Sequence, residues 1–147
     1  MTEETKRTSE SAEEAPMYFR GTYDEAFDLL VEARNYVRND VVAFKYADDP
    51  PDPLAMTQET MRLTSRLTQV MAWLMAERAM HEGEIDEQEF IKDKYRLEGH
   101  EVCLKRALDD MEDELPEGLN DLMERSYNLY RRILRLDEQF VGDKKSD

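Results

Sequence analysis

The residues best suited to chemistry in this sequence are two histidines and one cysteine, His81, His100 and Cys103. His100 and Cys103 are three residues apart, a spacing that brings an imidazole base beside a thiol on one face of a helix. The surrounding sequence offers no obvious group to orient the imidazole and no glycine-rich loop for phosphate. We therefore interpret Cys103 as a half-buried structural residue and predict that the chain is not an enzyme.

A metal site is predicted to be absent as well. A carboxylate-bridged metal site in a helical bundle needs a Glu-x-x-His pair, but Arg78 and Leu97 occupy the positions three residues before the two histidines. No pair of cysteine or histidine residues has the spacing of a zinc site. The sequence thus predicts no catalytic residue, no metal and no cofactor.

The segment Met61–Glu84 is the most informative part of the chain. Its centre, Val70–Ala76, is a run of seven apolar residues in a chain that is 37% charged. A helix that is apolar on most of its faces must be covered from several directions, by its own chain or by a second one. This segment is interpreted either as ordinary bundle core or as a protein-binding surface, and the sequence leaves both open. The predicted dimer or partner interface comprises Leu63, Leu67, Val70, Met71, Trp73, Leu74 and Met75.

Composition restricts the class of partner. Thirty-five acidic residues against twenty basic ones give a formal net charge of −15, which repels nucleic-acid phosphates and anionic lipid. The longest apolar run is far shorter than the ~18–20 residues that span a bilayer. No secretory leader opens the sequence, and a single cysteine fits a reducing compartment. We expect a cytoplasmic protein without nucleic-acid binding or membrane insertion.

The sequence divides into three predicted regions. Residues 1–20 form an acidic leader, which has too few large side chains to bury and is expected to be disordered. Residues 21–140 form a helical bundle domain, and residues 141–147 form a flexible C-terminal tail.

Helical periodicity predicts three long helices and one short one. The first runs from about Tyr23 to Ala47 and ends at a proline-rich link; the second runs from about Leu54 to Glu82. A short helix follows, from Glu87 to about Leu97, and the last long helix begins near Pro116. The predicted apolar stripe of the first helix is Phe27, Leu30, Val37, Val41 and Phe44. The predicted stripe of the last helix is Leu119, Leu122, Ser126, Leu129, Ile133, Leu136 and Phe140.

These elements predict an all-α fold. We expect a three-helix bundle in up-down-up order, with the short extra helix between the second and third long helices. Arg62, Arg66 and Arg78 of the second helix could pair with acids of the first helix or of a partner. Most such pairs are solvated and contribute little.

Two stretches of the sequence resemble a known family. The segment TMRLTSRLTQVMAWLMAERAMHEGEID (Thr60–Asp86) has a Met-Arg-Leu-Thr-x-Arg-Leu core, a Trp-Leu pair and a following Gly-Glu. The segment LPEGLNDLMERSYNLYRRILRLDEQF (Leu115–Phe140) has a Leu-Pro, a Glu-Arg-Ser and an Arg-Leu-Asp, and Phe27–Tyr46 is a weaker match. In combination these motifs resemble the RcdA family of alphaproteobacteria, the regulators of CtrA degradation.

The resemblance implies a three-helix-bundle homodimer that serves as an adaptor for the ClpXP protease. In the family scheme, ClpX primed by a response-regulator-like protein recruits the adaptor, which tethers cargo for cell-cycle-timed degradation. The cargo includes developmental regulators and a second, cyclic-di-GMP-binding adaptor that delivers CtrA. Tethering works because it raises the effective concentration of cargo beside the unfoldase. Recruitment to a cell pole is part of the same expectation.

Adaptors of this family direct a flexible C-terminal tail toward the protease. The protease-side contact is therefore predicted at Phe140, Val141, Lys144 and Lys145, and cargo contacts at exposed parts of the first two long helices. The rival hypothesis is a structural or inhibitory helical dimer that masks a basic protein partner, with no protease involved. Salt separates the two hypotheses, because an acidic mask loses its partner steeply as ionic strength rises.

Overall fold

The computed structural model describes residues 20–105 and 115–145, and within these ranges the chain forms helices and connecting turns. The predicted acidic leader, apart from Arg20, lies outside the described residues. The described part of helix α1 comprises residues 20–43, with a π-helical segment at Val37–Val41, and is followed by a 3₁₀ turn at Phe44–Tyr46. The remaining helices are α2 (Pro53–His81), α3 (Glu87–Phe90), α4 (His100–Cys103) and α5 (Glu117–Lys145), with a 3₁₀ turn at Asp93–Tyr95.

Capping residues explain where these helices begin and end. The Asp52 carboxylate accepts a hydrogen bond from the Leu54 N–H at 3.1 Å, and Pro53 occupies the first helical position of α2. Gly83 follows α2 with φ +79°, a left-handed conformation that favours glycine. Asp86 caps α3 by accepting from the Glu89 N–H at 2.7 Å. These signals are local, which is why the sequence predicts the ends of α2 to within one residue.

Helix α1 runs antiparallel to α5. Near the start of α1, Glu25 contacts Arg132 at 2.6 Å, and two turns later Glu32 contacts Arg125 at 2.7 Å. Residue numbers therefore rise along one helix as they fall along the other. This antiparallel pair forms one side of the bundle.

Helix α5 runs parallel to α2, so the predicted up-down-up order is wrong. Arg66 donates from Nη1 to the Met123 carbonyl at 3.0 Å, and Trp73, two turns later, donates to Asp137 at 2.8 Å. The physical reason is the long connection between α2 and α5, which runs back along the bundle toward the start of α2. Leu97 of this connection contacts Asp137, and Cys103, further along it, contacts Arg66. Helix α5 therefore starts at the same end of the bundle as α2. The order is up-down-down, and the all-α three-helix bundle with short helices before α5 is confirmed.

The apolar stripe of α5 is confirmed as core, whereas the stripe predicted for α1 is only partly buried: Leu30, Val41 and Phe44 pack at the edge of the core. Helix α1 buries its small residues Ala26 and Ala33 together with Leu29, while Phe27 is 48% exposed. Two of the three fully buried apolar positions of α1 are thus alanines, which take up little space against the neighbouring helices. On α5, the buried stripe positions are Leu119, Leu122, Ser126, Leu129 and Ile133, and Leu136 and Phe140 are half-buried.

Helix α5 continues through Lys145, beyond the end predicted at residue 140. None of the described helices combines the length and apolar character needed to cross a bilayer.

Candidate functional site

The apolar segment around Trp73 is covered by the chain's own residues. The indole Nε1–H of Trp73 donates to Asp137 Oδ1 at 2.8 Å, and the other carboxylate oxygen accepts from the Leu97 N–H at 3.3 Å. Arg96 lies 2.7 Å from the same carboxylate. Because Asp137 is buried, these partners replace the water it loses on folding. The cluster joins α2, α5 and the returning connection.

Aromatic rings complete this cluster. The Phe90 ring lies edge-on to Trp73 at 5.7 Å and to Phe140 at 4.9 Å between ring centroids. Arg96 lies over the other side of Phe90, 5.0 Å from the ring centroid, and donates to the Phe90 carbonyl at 2.5 Å. The Trp73 indole and the Asp137 carboxylate are hydrogen-bonded, and the Arg96 guanidinium contacts Asp137 and the Phe90 carbonyl, although its Nε has no hydrogen-bond partner among the described residues. These contacts hold the returning connection against α2 and α5.

Most of the predicted interface residues lie inside the bundle. Leu63, Leu67, Val70, Trp73 and Leu74 are buried in the core of the single chain. Side chains covered by their own chain have no surface to offer a second chain, so these five residues cannot form a dimer interface while the bundle stays folded. Of the seven predicted positions, Met75 is exposed and Met71 is half-buried.

The outer face of α2 is the side of this helix that stays exposed to solvent. Every exposed position of α2 between residues 54 and 77 lacks a formal charge, in a chain where 37% of residues are charged. These positions recur every three or four residues, which places them along one side of the helix. We call this surface the uncharged face of α2. Its members are Leu54, Thr57, Gln58, Met61, Thr64, Thr68, Ala72 and Met75.

A shallow depression of ≈ 260 Å³ borders the uncharged face. It is lined by Thr64, Ser65, Thr68 and Gln69 of α2, and by Gly99, Val102 and Cys103 around α4. Its polar groups are neutral hydroxyls and one amide, and Val102 is 46% exposed beside them. The depression widens the uncharged surface toward α4.

His100 and Cys103 do not form a nucleophile and base. A ring nitrogen of His100, Nε2, lies 2.9 Å from the Leu97 carbonyl, which can only accept a hydrogen bond. Burial raises the pKa of the Cys103 thiol, and Cys103 is fully buried. A thiol with a raised pKa is protonated at neutral pH and is a weak nucleophile. Among the described residues, no group of three or more potential ligands could hold a metal ion.

The sequence analysis did not predict that four ionisable residues are buried, namely Glu59, Arg66, Glu77 and Asp137. Arg66 is fully buried and donates to the carbonyls of Cys103 (2.8 Å), Lys105 (2.7 Å) and Met123 (3.0 Å). Glu77 is also buried, and desolvation raises the pKa of its carboxyl to about 8. Arg66 and Glu77 each lie three residues after a buried leucine of α2, Leu63 and Leu74 respectively. This helical spacing could have predicted that both side chains are buried.

The predicted protease-side residues divide into two groups. Phe140 and Val141 are half-buried, and the Phe140 ring packs on Phe90. Lys144 and Lys145 belong to the backbone of α5, but their side chains lie outside the described residues.

Comparison with known proteins places this bundle in a family. The model of a family described as a protein of unknown function, DUF1465, matches residues 10–147. No curated protein matches the chain. The crystal structure of RcdA from Caulobacter crescentus CB15 is similar at 30% sequence identity with a TM-score of 0.64, and the match covers 83% of this chain and 89% of that one. With the same helical architecture and these two matches, the chain belongs to the RcdA-like DUF1465 family.

Proposed function

We propose that this chain is a non-enzymatic adaptor that forms a homodimer and tethers cargo proteins to the ClpXP protease for cell-cycle-regulated degradation. Membership in the RcdA-like family supports this function. The structural observation that carries it is the uncharged face of α2, which is suited to contact protein. In the cluster around Trp73, the indole N–H and the Asp137 carboxylate are already engaged with each other and with Arg96.

The uncharged face of α2 is the proposed dimer interface. In a two-fold dimer the same patch meets its own copy, so any net charge on the patch faces like charge. A chain of net charge −15 repels its copy over most of its surface. A face without charge avoids this repulsion, and its threonine and alanine side chains permit close approach of a second helix. Met61 and Met75, which are 65% and 58% exposed, supply adaptable apolar area.

Cargo and protease are proposed to bind elsewhere. On α1, Phe27 and Val42 leave about half of their surface exposed, and Tyr46 is 86% exposed just beyond its end. These apolar side chains are proposed cargo contacts. The end of α5, from Val141 through Lys145, is the proposed protease-side contact, where ClpX acts together with a priming response-regulator-like protein.

Degradation of captured cargo tests this function. The purified chain is immobilised and used to capture proteins from an alphaproteobacterial lysate, with and without ClpX. Each captured protein, a cyclic-di-GMP-binding adaptor among those expected, is then incubated with purified ClpXP and the priming factor. We expect faster degradation in the presence of the chain, because tethering raises the effective concentration of cargo.

Unchanged degradation rates for all captured proteins would contradict the adaptor proposal. Salt provides an independent control. A dimer that masks a basic partner by charge would release it between low and high ionic strength, whereas capture through apolar and uncharged surfaces should persist.

A further inference from the structure

A groove between α1 and α5 concentrates positive charge on an acidic chain. The buried Leu29 and Leu129 form its apolar floor. Four arginines of α5 line it: Arg125, Arg131, Arg132 and Arg135. We call it the arginine groove; its volume is ≈ 450 Å³, enough for a few side chains of a peptide.

Among the described residues, two of these four arginines have no acidic partner. Arg132 is paired with Glu25 at 2.6 Å, and Arg125 is paired with Glu32 of α1 at 2.7 Å. For Arg131 and Arg135, no carboxylate of residues 20–105 or 115–142 lies within 4 Å. The groove therefore attracts an acidic ligand.

The start of α1 lies at the same end of the bundle as Arg135. Because α1 and α5 are antiparallel, and Glu25 lies opposite Arg132, Arg135 lies one helical turn closer to the N-terminal end of α1. Arg20 precedes Glu25 by five residues, or about 7.5 Å along the helix. The chain that precedes Arg20 thus enters the bundle beside the unpaired arginines.

The sequence before Arg20 has the complementary charge. The segment Ser9–Phe19, SESAEEAPMYF, carries Glu10, Glu13 and Glu14 and no basic residue. Glu14 is six residues from Arg20, so an extended chain reaches about 20 Å from that point. The segment is therefore long enough to reach the arginine groove, has the opposite charge, and is attached beside it.

We propose that the segment Ser9–Phe19 occupies the arginine groove of its own chain, with its glutamates paired to Arg131 and Arg135. Each exposed ion pair contributes only about 0–1 kcal/mol. The covalent connection makes up for this, because a short tether gives an effective concentration in the millimolar range. The segment shields the groove from acidic segments of other proteins, which must displace it to bind. This inference does not depend on the adaptor function.

Paramagnetic relaxation in the full-length chain tests this placement. A nitroxide is attached to Ser11→Cys in ¹⁵N-labelled protein; the buried Cys103, whose thiol pKa is raised, should not react. We expect loss of amide peak intensity at residues 128–135 of α5. The loss should disappear in the Arg131→Glu, Arg135→Glu double variant and at high salt. Replacing Glu10, Glu13 and Glu14 by lysine in that double variant should restore the intensity loss.

The matched control is the double variant Arg34→Glu, Arg38→Glu, which reverses two exposed arginines of α1 outside the groove. It should keep the intensity loss at residues 128–135. The proposal is overturned if wild-type protein shows no loss there, or if both double variants respond alike. A mixed sample tests whether the segment binds a second copy instead. It contains nitroxide-labelled protein without ¹⁵N and ¹⁵N-labelled protein without nitroxide. Intensity loss in this sample would place the segment in the groove of another molecule and overturn the assignment to its own chain.

Discussion

Arg66 stabilises the bundle through neutral acceptors. Its guanidinium joins the returning connection, at Cys103 and Lys105, to α5 at Met123 and Ser126. Burial lowers the pKa of Arg66 to about 10, so the group stays charged at neutral pH. The planar fork of arginine reaches several oxygens in different directions, which a lysine ammonium cannot do.

We predict that Arg66→Lys lowers the free energy of unfolding by about 2–4 kcal/mol, because buried carbonyls lose their donors. Urea unfolding followed by the fluorescence of Trp73, the single tryptophan, measures this change. The matched control is Arg34→Lys at an exposed position of α1, which should change stability by less than about 0.5 kcal/mol. Equal effects of both substitutions would show that the buried hydrogen bonds of Arg66 contribute little.

Glu77 gives the fold a pH dependence. Because burial raises the pKa of this carboxyl from 4.5 to about 8, the folded state keeps a proton that the unfolded state releases. The stabilisation is therefore complete below the unfolded pKa and is lost as pH rises toward and through 8. His81 Nε2 lies 3.0 Å from the Glu77 carboxylate and is the nearest basic group on α2.

Relative to Glu77→Gln, the wild-type protein should lose roughly 1–3 kcal/mol of unfolding free energy between pH 5 and pH 8.5. Urea unfolding of both proteins at several pH values measures the difference. The same decline should persist in His81→Asn, since burial is its main cause. A constant difference between wild type and Glu77→Gln across this range would show that Glu77 ionises normally.

At the scale of elements, the contact between α1 and α5 depends on Gly118. A Cβ added at Gly118 would lie 2.6 Å from Cε2 of Tyr36, which is closer than side-chain atoms approach. The ring of Tyr36 thus packs over the first turn of α5 only because residue 118 has no side chain. Gly142, near the other end of α5, has open space around the same position.

Gly118→Ala is predicted to lower the free energy of unfolding by about 1–3 kcal/mol, since overpacking outweighs the gain of up to about 1 kcal/mol in helix propensity. Gly142→Ala is the matched control and should be neutral or stabilising. Thermal unfolding followed by circular dichroism compares the two variants. Stabilisation by both substitutions would mean that Tyr36 moves aside without cost.

The end of α5 packs on the bundle and is also the proposed protease-side contact, and a deletion can separate the two. Deleting Phe140–Asp147 removes a proposed protease contact and also the Phe140 ring from Phe90, so loss of delivery would be ambiguous. Deleting residues 143–147 retains Phe140. We predict that this shorter deletion leaves the unfolding midpoint and dimerisation unchanged but abolishes ClpXP-dependent degradation of cargo. Undiminished degradation would exclude the C-terminal end as the protease-side contact.

At the scale of the whole molecule, the proposed dimer depends on the distribution of charge. The chain has 35 acidic residues against 20 basic ones, and the uncharged face of α2 carries neither kind at its exposed positions. We predict that Met61→Glu with Met75→Glu raises the dimer dissociation constant at least about tenfold, or 1.4 kcal/mol. Sedimentation equilibrium measures this constant. The matched control, Asn39→Glu with Gln88→Glu, adds the same charge at exposed positions of α1 and α3 and should not change it.

A monomeric wild-type protein, or equal weakening by both charge pairs, would exclude this face as the dimer interface. In the first case no dimer exists to disrupt, and in the second the effect comes from overall charge.

The sequence alone determined the helices of the bundle and the composition of much of the core. Periodic apolar residues and local capping signals, such as Asp52 before Pro53 and Gly83 after α2, act within a few residues along the chain, so they are readable without a fold. The motifs of Thr60–Asp86 and Leu115–Phe140 likewise sufficed to identify the family, which the later comparisons confirmed.

Tertiary structure decided the direction of α5, the inward face of α1 and the coverage of Trp73. Each depends on contacts between residues far apart in sequence: Arg66 with Met123, Trp73 with Asp137, and Gly118 with Tyr36. Periodicity shows that a face is apolar but does not show which neighbour covers it. The seven apolar residues from Val70 to Ala76 therefore suggested an external partner, and only the packed bundle showed that the chain covers most of them itself.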